Sequence, residues 1–209
     1  MKQLINKTIL MVIAHPDDEI IFGWPIFQNP TIKKKILCCS SDLNNPERVW
    51  CKHRKNALQK VCEIANGEKL ICLDYNSEFY RLPTRNEDLK KMSRNVVDNI
   101  EKMDPFDYIY THNFWGEYGH LDHILINNIC FSLKRDIIVS DMFVKSNWLC
   151  YNEPPNLFKK NIEENEIVRN INIDISLFPK YEKIYRDAGV WTWSSPINVA
   201  CNLSLFKTC

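Results

Sequence analysis

Three features of the sequence predict an α/β fold of the Rossmann-like, doubly wound type, with a mostly parallel sheet and helices on both faces. Short apolar runs alternate with longer segments of helical periodicity. The first run, Ile9-Leu10-Met11-Val12-Ile13, is apolar throughout and reads as a buried strand. Directly after it comes Ala14-His15-Pro16-Asp17-Asp18-Glu19. A histidine and three carboxylates thus stand at the carboxyl end of a strand, where open α/β sheets place their ligands.

Strand one is expected over Thr8 to Ala14, followed by a short helix over Ile20 to Phe27. Lys33-Lys34-Lys35 leads into a second strand, Ile36 to Ser40, and Ser41 to Pro46 is polar and loop-like. Glu47 to Ala65 carries Val49, Leu58, Val61, Cys62 and Ala65 near helical spacing, and Asn66-Gly67 is a natural stop. Lys69 to Leu73 is a third strand, and Asp74 to Arg85 an irregular loop. A helix opens at Asn86 or Glu87 and runs to about Met103, before Asp104-Pro105. Asp107 to Thr111 is strand four, Leu121 to Arg135 a helix, and Ile137 to Val144 strand five. Glu166 to Ile175 reads as a strand, and Leu177 to Ala188 as an amphipathic helix stopped by Gly189.

The 209 residues suit one large domain. Residues 1–150 would form the sheet and its helices. Residues 151–209 would be a C-terminal appendage packed on the same body, too short to hold a core of its own. Lys+Arg 27 against Asp+Glu 26 leaves a net charge of +1, which gives no support for nucleic-acid binding. The nine cysteines are odd in number and lack a C-x-x-C, so they read as small buried hydrophobes in a reducing, cytoplasmic setting. The N-terminal apolar run is too short for a signal peptide or a membrane span.

His15 and Asp18 offer an imidazole and a carboxylate, good ligands for a divalent ion such as zinc. Asp17 is left beside them as a base. Carboxylates at a helix start also suit the macrodipole. Four ionisable groups within five residues, however, exceed what capping needs. The second constellation is His112-Asn113-Phe114-Trp115-Gly116-Glu117-Tyr118-Gly119-His120-Leu121-Asp122-His123, which holds three of the five histidines. His120 and His123 stand three apart at a helix start and can share a face. In doubly wound sheets the strand added after the chain reverses direction neighbours strand one, and the crevice between their carboxyl ends is the binding site. If strand four is that neighbour, His123 meets His15 and Asp18, and Asp17, Tyr118 and His120 line the site. Two histidines, a carboxylate and a water make an open catalytic zinc site.

These two motifs resemble those of the PIG-L/LmbE-like family of zinc-dependent N-acetylglucosaminyl deacetylases, which carries an AHPDDE motif after its first strand and an H-x-D-H motif after a later one. The resemblance spans about residues 8–135. It implies zinc on His15, Asp18 and His123, with Asp17 as general base. It further implies His120 as general acid or charge stabiliser, oriented by Asp122, and Tyr118 beside the oxyanion. Arg54 matches best a helix arginine that contacts substrate in relatives, although Ala57 stands where they often carry Glu. Trp115 and Glu117 are set against substrate as well. The implied reaction removes acetate from an N-acetylated amino sugar: Asp17 takes a proton from the attacking water, and protonated His120 donates to the departing amine. The alternatives are a zinc amidase on another sugar conjugate, or a non-catalytic sugar- or nucleotide-binding α/β module. No glycine follows strand one before Gly23, so a dinucleotide-type G-x-G-x-x-G loop is excluded.

Overall fold

In the computed structural model, residues 4–40, 50–75, 86–142, 156, 160, 166–168, 174–191, 193 and 203–207 are described. The strands are β1 Thr8–Ile13, β2 Lys33–Ser40, β3 Lys69–Tyr75, β4 Tyr108–Thr111, β5 Ile137–Ser140, β6 Glu166–Val168 and β7 Leu203–Phe206. The helices are α1 Asp18–Ile21, α2 Trp24–Phe27, α3 Trp50–Ile64, α4 Asn86–Glu101, α5 Gly116–Gly119, α6 Leu121–Phe131 and α7 Phe178–Asp187. The loop expected over Ser41 to Pro46, and most of the one over Asp74 to Arg85, lie outside the described residues.

The strands form one sheet in the order β3-β2-β1-β4-β5-β7-β6. β1 to β5 are parallel, β7 adds antiparallel to β5, and β6 adds antiparallel to β7. The chain therefore runs outward from β1 to β3, then returns to place β4 on the other side of β1. The predicted doubly wound, mostly parallel sheet is the one observed, with the reversal between β1 and β4. Register pairs Ile9 with Tyr108 and Val12 with Thr111, so the loops after the two strands leave side by side.

Both faces of β1 are buried, which is why its sequence does not alternate. Ile9, Met11 and Ile13 pack into a core with Trp24, Leu58, Val61, Phe178 and Tyr181, from α2, α3 and α7. Leu10, Val12 and Ala14 pack into a second core with Met92, Val96 and Ile100 of α4 and Ile126 and Cys130 of α6. Each of the Val, Leu, Ile, Phe and Met side chains among them contributes roughly 1.5–3 kcal/mol on burial.

Some elements differ from the sequence expectation. The helix expected over Ile20 to Phe27 is two short helices divided at Gly23. A Cβ on Gly23 would stand 2.3 Å from Met11 Cε and 2.8 Å from the Glu19 carbonyl oxygen; the end of the methionine could shift but the carbonyl could not, so glycine lets the chain turn tightly off the end of α1. The loop before α6 contains a helical turn, α5. The strand expected over Glu166 to Ile175 is described only over Glu166–Val168, and Ile175–Leu177 is a 3₁₀ turn. The C-terminal segment packs on the same body: it supplies β6 and β7 to the common sheet and lays α7 against α3 and α1. Among the described residues no helix is long and apolar enough to cross a membrane.

Candidate active site

The first half of the site is the turn after β1. The Ser40 amide donates to the Ala14 carbonyl at 2.8 Å, carrying the β1–β2 pairing up to the turn. The Asp18 amide then bonds back to the His15 carbonyl at 3.3 Å, and Asp18 Oδ2 accepts the His15 amide at 2.7 Å. Asp17, at the apex, has φ 104°, in the region that residues with a Cβ rarely adopt.

The second half is the loop after β4, shaped by Asn113. Its Oδ1 accepts the amides of Trp115 (3.0 Å) and Glu117 (3.1 Å), an Asx-type turn, and its Nδ2 donates to the Met142 carbonyl at 2.8 Å. Gly116 has φ +66°, and a Cβ there would lie 3.2 Å from His123 Cβ. Glycine thus lets the loop run against the first turn of α6. Thr111 Oγ1 donates to the Val12 carbonyl at 3.0 Å, and the Tyr110 hydroxyl to that of Phe22, locking the two halves together.

Three donor atoms from the two halves form a small triangle. His15 Nδ1 and His123 Nε2 are 3.2 Å apart, and each is 3.6 Å from Asp18 Oδ2. The far nitrogen of each histidine faces a buried carboxylate. His15 Nε2 lies 2.9 Å from Asp122 Oδ2, and His123 Nδ1 lies 2.8 Å from Glu117 Oε2. If each carboxylate holds the proton of its partner ring, both near nitrogens turn a lone pair inward. Such carboxylate–histidine pairs accompany metal sites. Bonds of about 2.0–2.1 Å to a tetrahedral zinc would put its ligand atoms about 3.3–3.4 Å apart. The observed edges fall within about 0.3 Å of that, so the residues present fit such an ion.

His112 and His120 lie within ligand distance of the same groups. His112 Nε2, however, accepts the Ala14 amide at 3.0 Å while its Nδ1 faces Glu117 Oε2 at 3.0 Å. His120 Nδ1 accepts the Asp122 amide at 3.2 Å, which leaves its proton on Nε2 in the neutral ring. On these hydrogen bonds neither ring turns a spare lone pair to the centre. His112 instead stacks on His123, with centroids 3.8 Å apart.

The electrostatics of the metal-free chain follow from burial and these contacts. Burial opposes the charge on Asp18, yet His123 and His112 hold its pKa well below the ordinary carboxylate range. Burial likewise opposes Glu117, but His112 and His123 draw it down to about 2. His15 is raised to about 9, since its bonds to Asp122 and Asp18 outweigh desolvation. Burial pushes Asp17 up to about 6, moderated by Arg54, whose Nη2 stands 2.9 Å from Asp17 Oδ2. His120 is pushed down to about 2 by burial and then by His123 and His15. In the metal-free chain this favours the neutral ring over the charged one expected from the sequence.

Other expected positions also differ in detail. The Asp122 carboxylate serves His15, and its Oδ2 lies 4.0 Å from His120 Nδ1. Glu117, expected against substrate, is fully buried between two histidines and the Asn113 amide, which its Oε1 accepts at 2.9 Å. Arg54 is 7% exposed, and its Nη2 also donates to the Pro16 carbonyl at 2.6 Å, so both of these contacts are made to the turn itself. Trp115 is half-buried at the start of α5. The Tyr118 ring lies 5.4 Å from the rings of both His120 and His123, and Trp193 packs edge-on to it at 5.6 Å. Side-chain exposure falls from 19% at His120 to 8% at His15 and zero at His123, so the triangle is approached from the His120 side. Sequence reasoning missed the parts of Glu19 and Tyr185. Tyr185 donates its hydroxyl to Glu19 Oε1 at 2.6 Å across 166 residues of sequence, a distance that no local pattern can signal.

The chain is similar to an uncharacterized protein of Acanthamoeba polyphaga mimivirus, 25% identical over 186 residues, covering 85% of this chain and 70% of that one. In fold it resembles an N,N'-diacetylchitobiose deacetylase from Pyrococcus horikoshii, with a TM-score of 0.50 at 12% identity, covering 97% of this chain and 84% of that one. Residues 10–134 match the family model described as PIG-L, GlcNAc-PI de-N-acetylase, a span that contains both halves of the site. The chain therefore belongs to the PIG-L family.

Proposed function

We propose that this protein is a zinc-dependent hydrolase that removes the acetyl group from an N-acetylated amino sugar of the N-acetylglucosamine type. One observation carries the reading: the triangle of His15 Nδ1, Asp18 Oδ2 and His123 Nε2, backed by Asp122 and Glu117. Family membership supplies the reaction class. We read residues 1–209 as one domain, because β6 and β7 extend the same sheet.

His15, Asp18 and His123 would hold the ion. When bound, zinc lowers the pKa of a coordinated water to about 7 and polarises a carbonyl oxygen. Asp17 accepts the proton of the attacking water; its burial gives a carboxylate basic enough to take that proton near neutral pH. Arg54 and the Pro16 carbonyl hold that carboxylate's turn in place. His120, neutral with its proton on Nε2, donates a hydrogen bond to the negative charge that develops on the acyl oxygen, beside Tyr118. Of the two roles considered for His120, charge stabiliser fits its environment. Asp17 then returns its proton to the departing amine, so the products are acetate and a free amino sugar. Trp193, edge-on to Tyr118, borders the approach.

The substrate class is tested with a panel of N-acetylated amino sugars (free, nucleotide-linked, lipid-linked and oligomeric) beside a thiol–sugar amide conjugate. Acetate and free amine should appear one for one from an N-acetyl member. Cleavage of the conjugate alone would overturn the deacetylase assignment in favour of a different amidase.

Two further results follow from this geometry. Glu117→Gln keeps an acceptor for one histidine but loses the charge shared by His112 and His123. Zinc affinity, measured by chelator competition, should fall about 10–100-fold. Unchanged affinity would show that Glu117 does not orient His123.

The second result concerns pH. Asp17 acts only when ionised, so activity is present above its pKa and lost as pH falls through it. That pKa is about 6 in the metal-free chain, and a cation on Asp18 lowers it. Arg54 also lowers it. Arg54→Gln should therefore move the acid limb of kcat/KM to higher pH. A limb that stays in place would separate Arg54 from Asp17.

A further inference from the structure

We infer that Tyr185, on the C-terminal helix α7, is a positioning residue for Asp17, acting through Glu19. The inference rests on the reading of Asp17 as the base. The motivating feature is the backbone of Asp17, whose φ of 104° costs free energy and persists only if its surroundings hold it. The Asp17 amide donates to Glu19 Oε2 at 3.0 Å, and Glu19 Oε1 accepts the Tyr185 hydroxyl at 2.6 Å. Glu19 and Tyr185 are both fully buried, so no solvent competes for these bonds.

The carboxyl group of Glu19 thus bridges the strained amide and a hydroxyl delivered from the far end of the chain. α7 is in turn anchored independently of the site. Phe178 and Tyr181 pack edge-on to Trp24, with centroids 5.3 and 5.6 Å away, and Tyr185 lies against Trp191. The C-terminal helix therefore presents its hydroxyl from a fixed wall. Losing it leaves Glu19 free to rotate and the Asp17 turn free to relax. A displacement of about 1 Å at a reacting group is enough to cost up to about 10²-fold in rate.

The experiment uses Tyr185→Phe, which deletes one oxygen and keeps the ring, in two measurements on the full chain. In the metal-free protein, hydrogen exchange of the Asp17 amide should accelerate, while the amides of Met11 and Val12 in β1 keep their rates. In the zinc-loaded enzyme, kcat should fall about tenfold with KM and zinc content unchanged. The same substitution in an Asp17→Asn background should then change the residual rate by less than about twofold, because a residue acting through Asp17 has nothing left to position. Glu19→Gln, which keeps an acceptor for the Asp17 amide, should retain the slow exchange. An Asp17 amide unaffected by Tyr185→Phe would overturn the inference, as would an equal fold-loss in both backgrounds. If Asp17→Asn alone proves fully active, Asp17 is not the base; the exchange measurement, which needs no activity, still decides whether Tyr185 holds the turn.

Discussion

Replacing His123 with alanine should remove bound zinc and activity together. His123 is fully buried and contributes one edge-forming atom to each of two sides of the donor triangle. Without it His15 and Asp18 remain as a two-ligand set, too few for a site that needs three protein ligands to keep one position open. Elemental analysis of the purified variant should show zinc well below one per chain, and deacetylation should drop to background. Tm should fall too, because the ring also fills space between His112 and Phe22. Full zinc occupancy with full activity in this variant would remove His123 from the ligand set.

The second large effect is expected at Asp17. Asparagine has nearly the same shape but cannot accept a proton from water. Asp17→Asn should therefore retain zinc while kcat falls by about 10²-fold or more, in line with the loss of a general base. KM should change little, since Arg54 and Glu19 still hold the turn through the Pro16 carbonyl and the Asp17 amide. Zinc lost together with the rate would make Asp17 a ligand and reverse the division of labour between the two aspartates.

Much of this site was legible because its parts are local or fixed by topology. His15, Asp17 and Asp18 are contiguous after a fully apolar strand, and that strand's sequence already implied burial on both faces. The meeting with His123 required one further step, the rule that places the reversal of strand order beside β1, and the β1–β4 pairing follows that rule. What the sequence concealed depends on where side chains point. Asp122 stands two residues after His120 in the motif, yet the helical turn aims its carboxylate across the site at His15. Glu117 looks like an exposed loop residue, but the positive φ at Gly116 and Glu117 folds it inward beneath two histidines. β7 is a four-residue strand, Leu203–Phe206, too short to carry a pattern, and it is recognised by its antiparallel pairing with β5 and β6.

The most direct test of the account is activity as a function of zinc added to the metal-free chain. Acetate release from the best substrate of the panel should rise in proportion to zinc and break at one equivalent per chain. A protein that takes up one zinc and releases no acetate from any N-acetylated sugar, or one whose activity is the same with and without the metal, would contradict it.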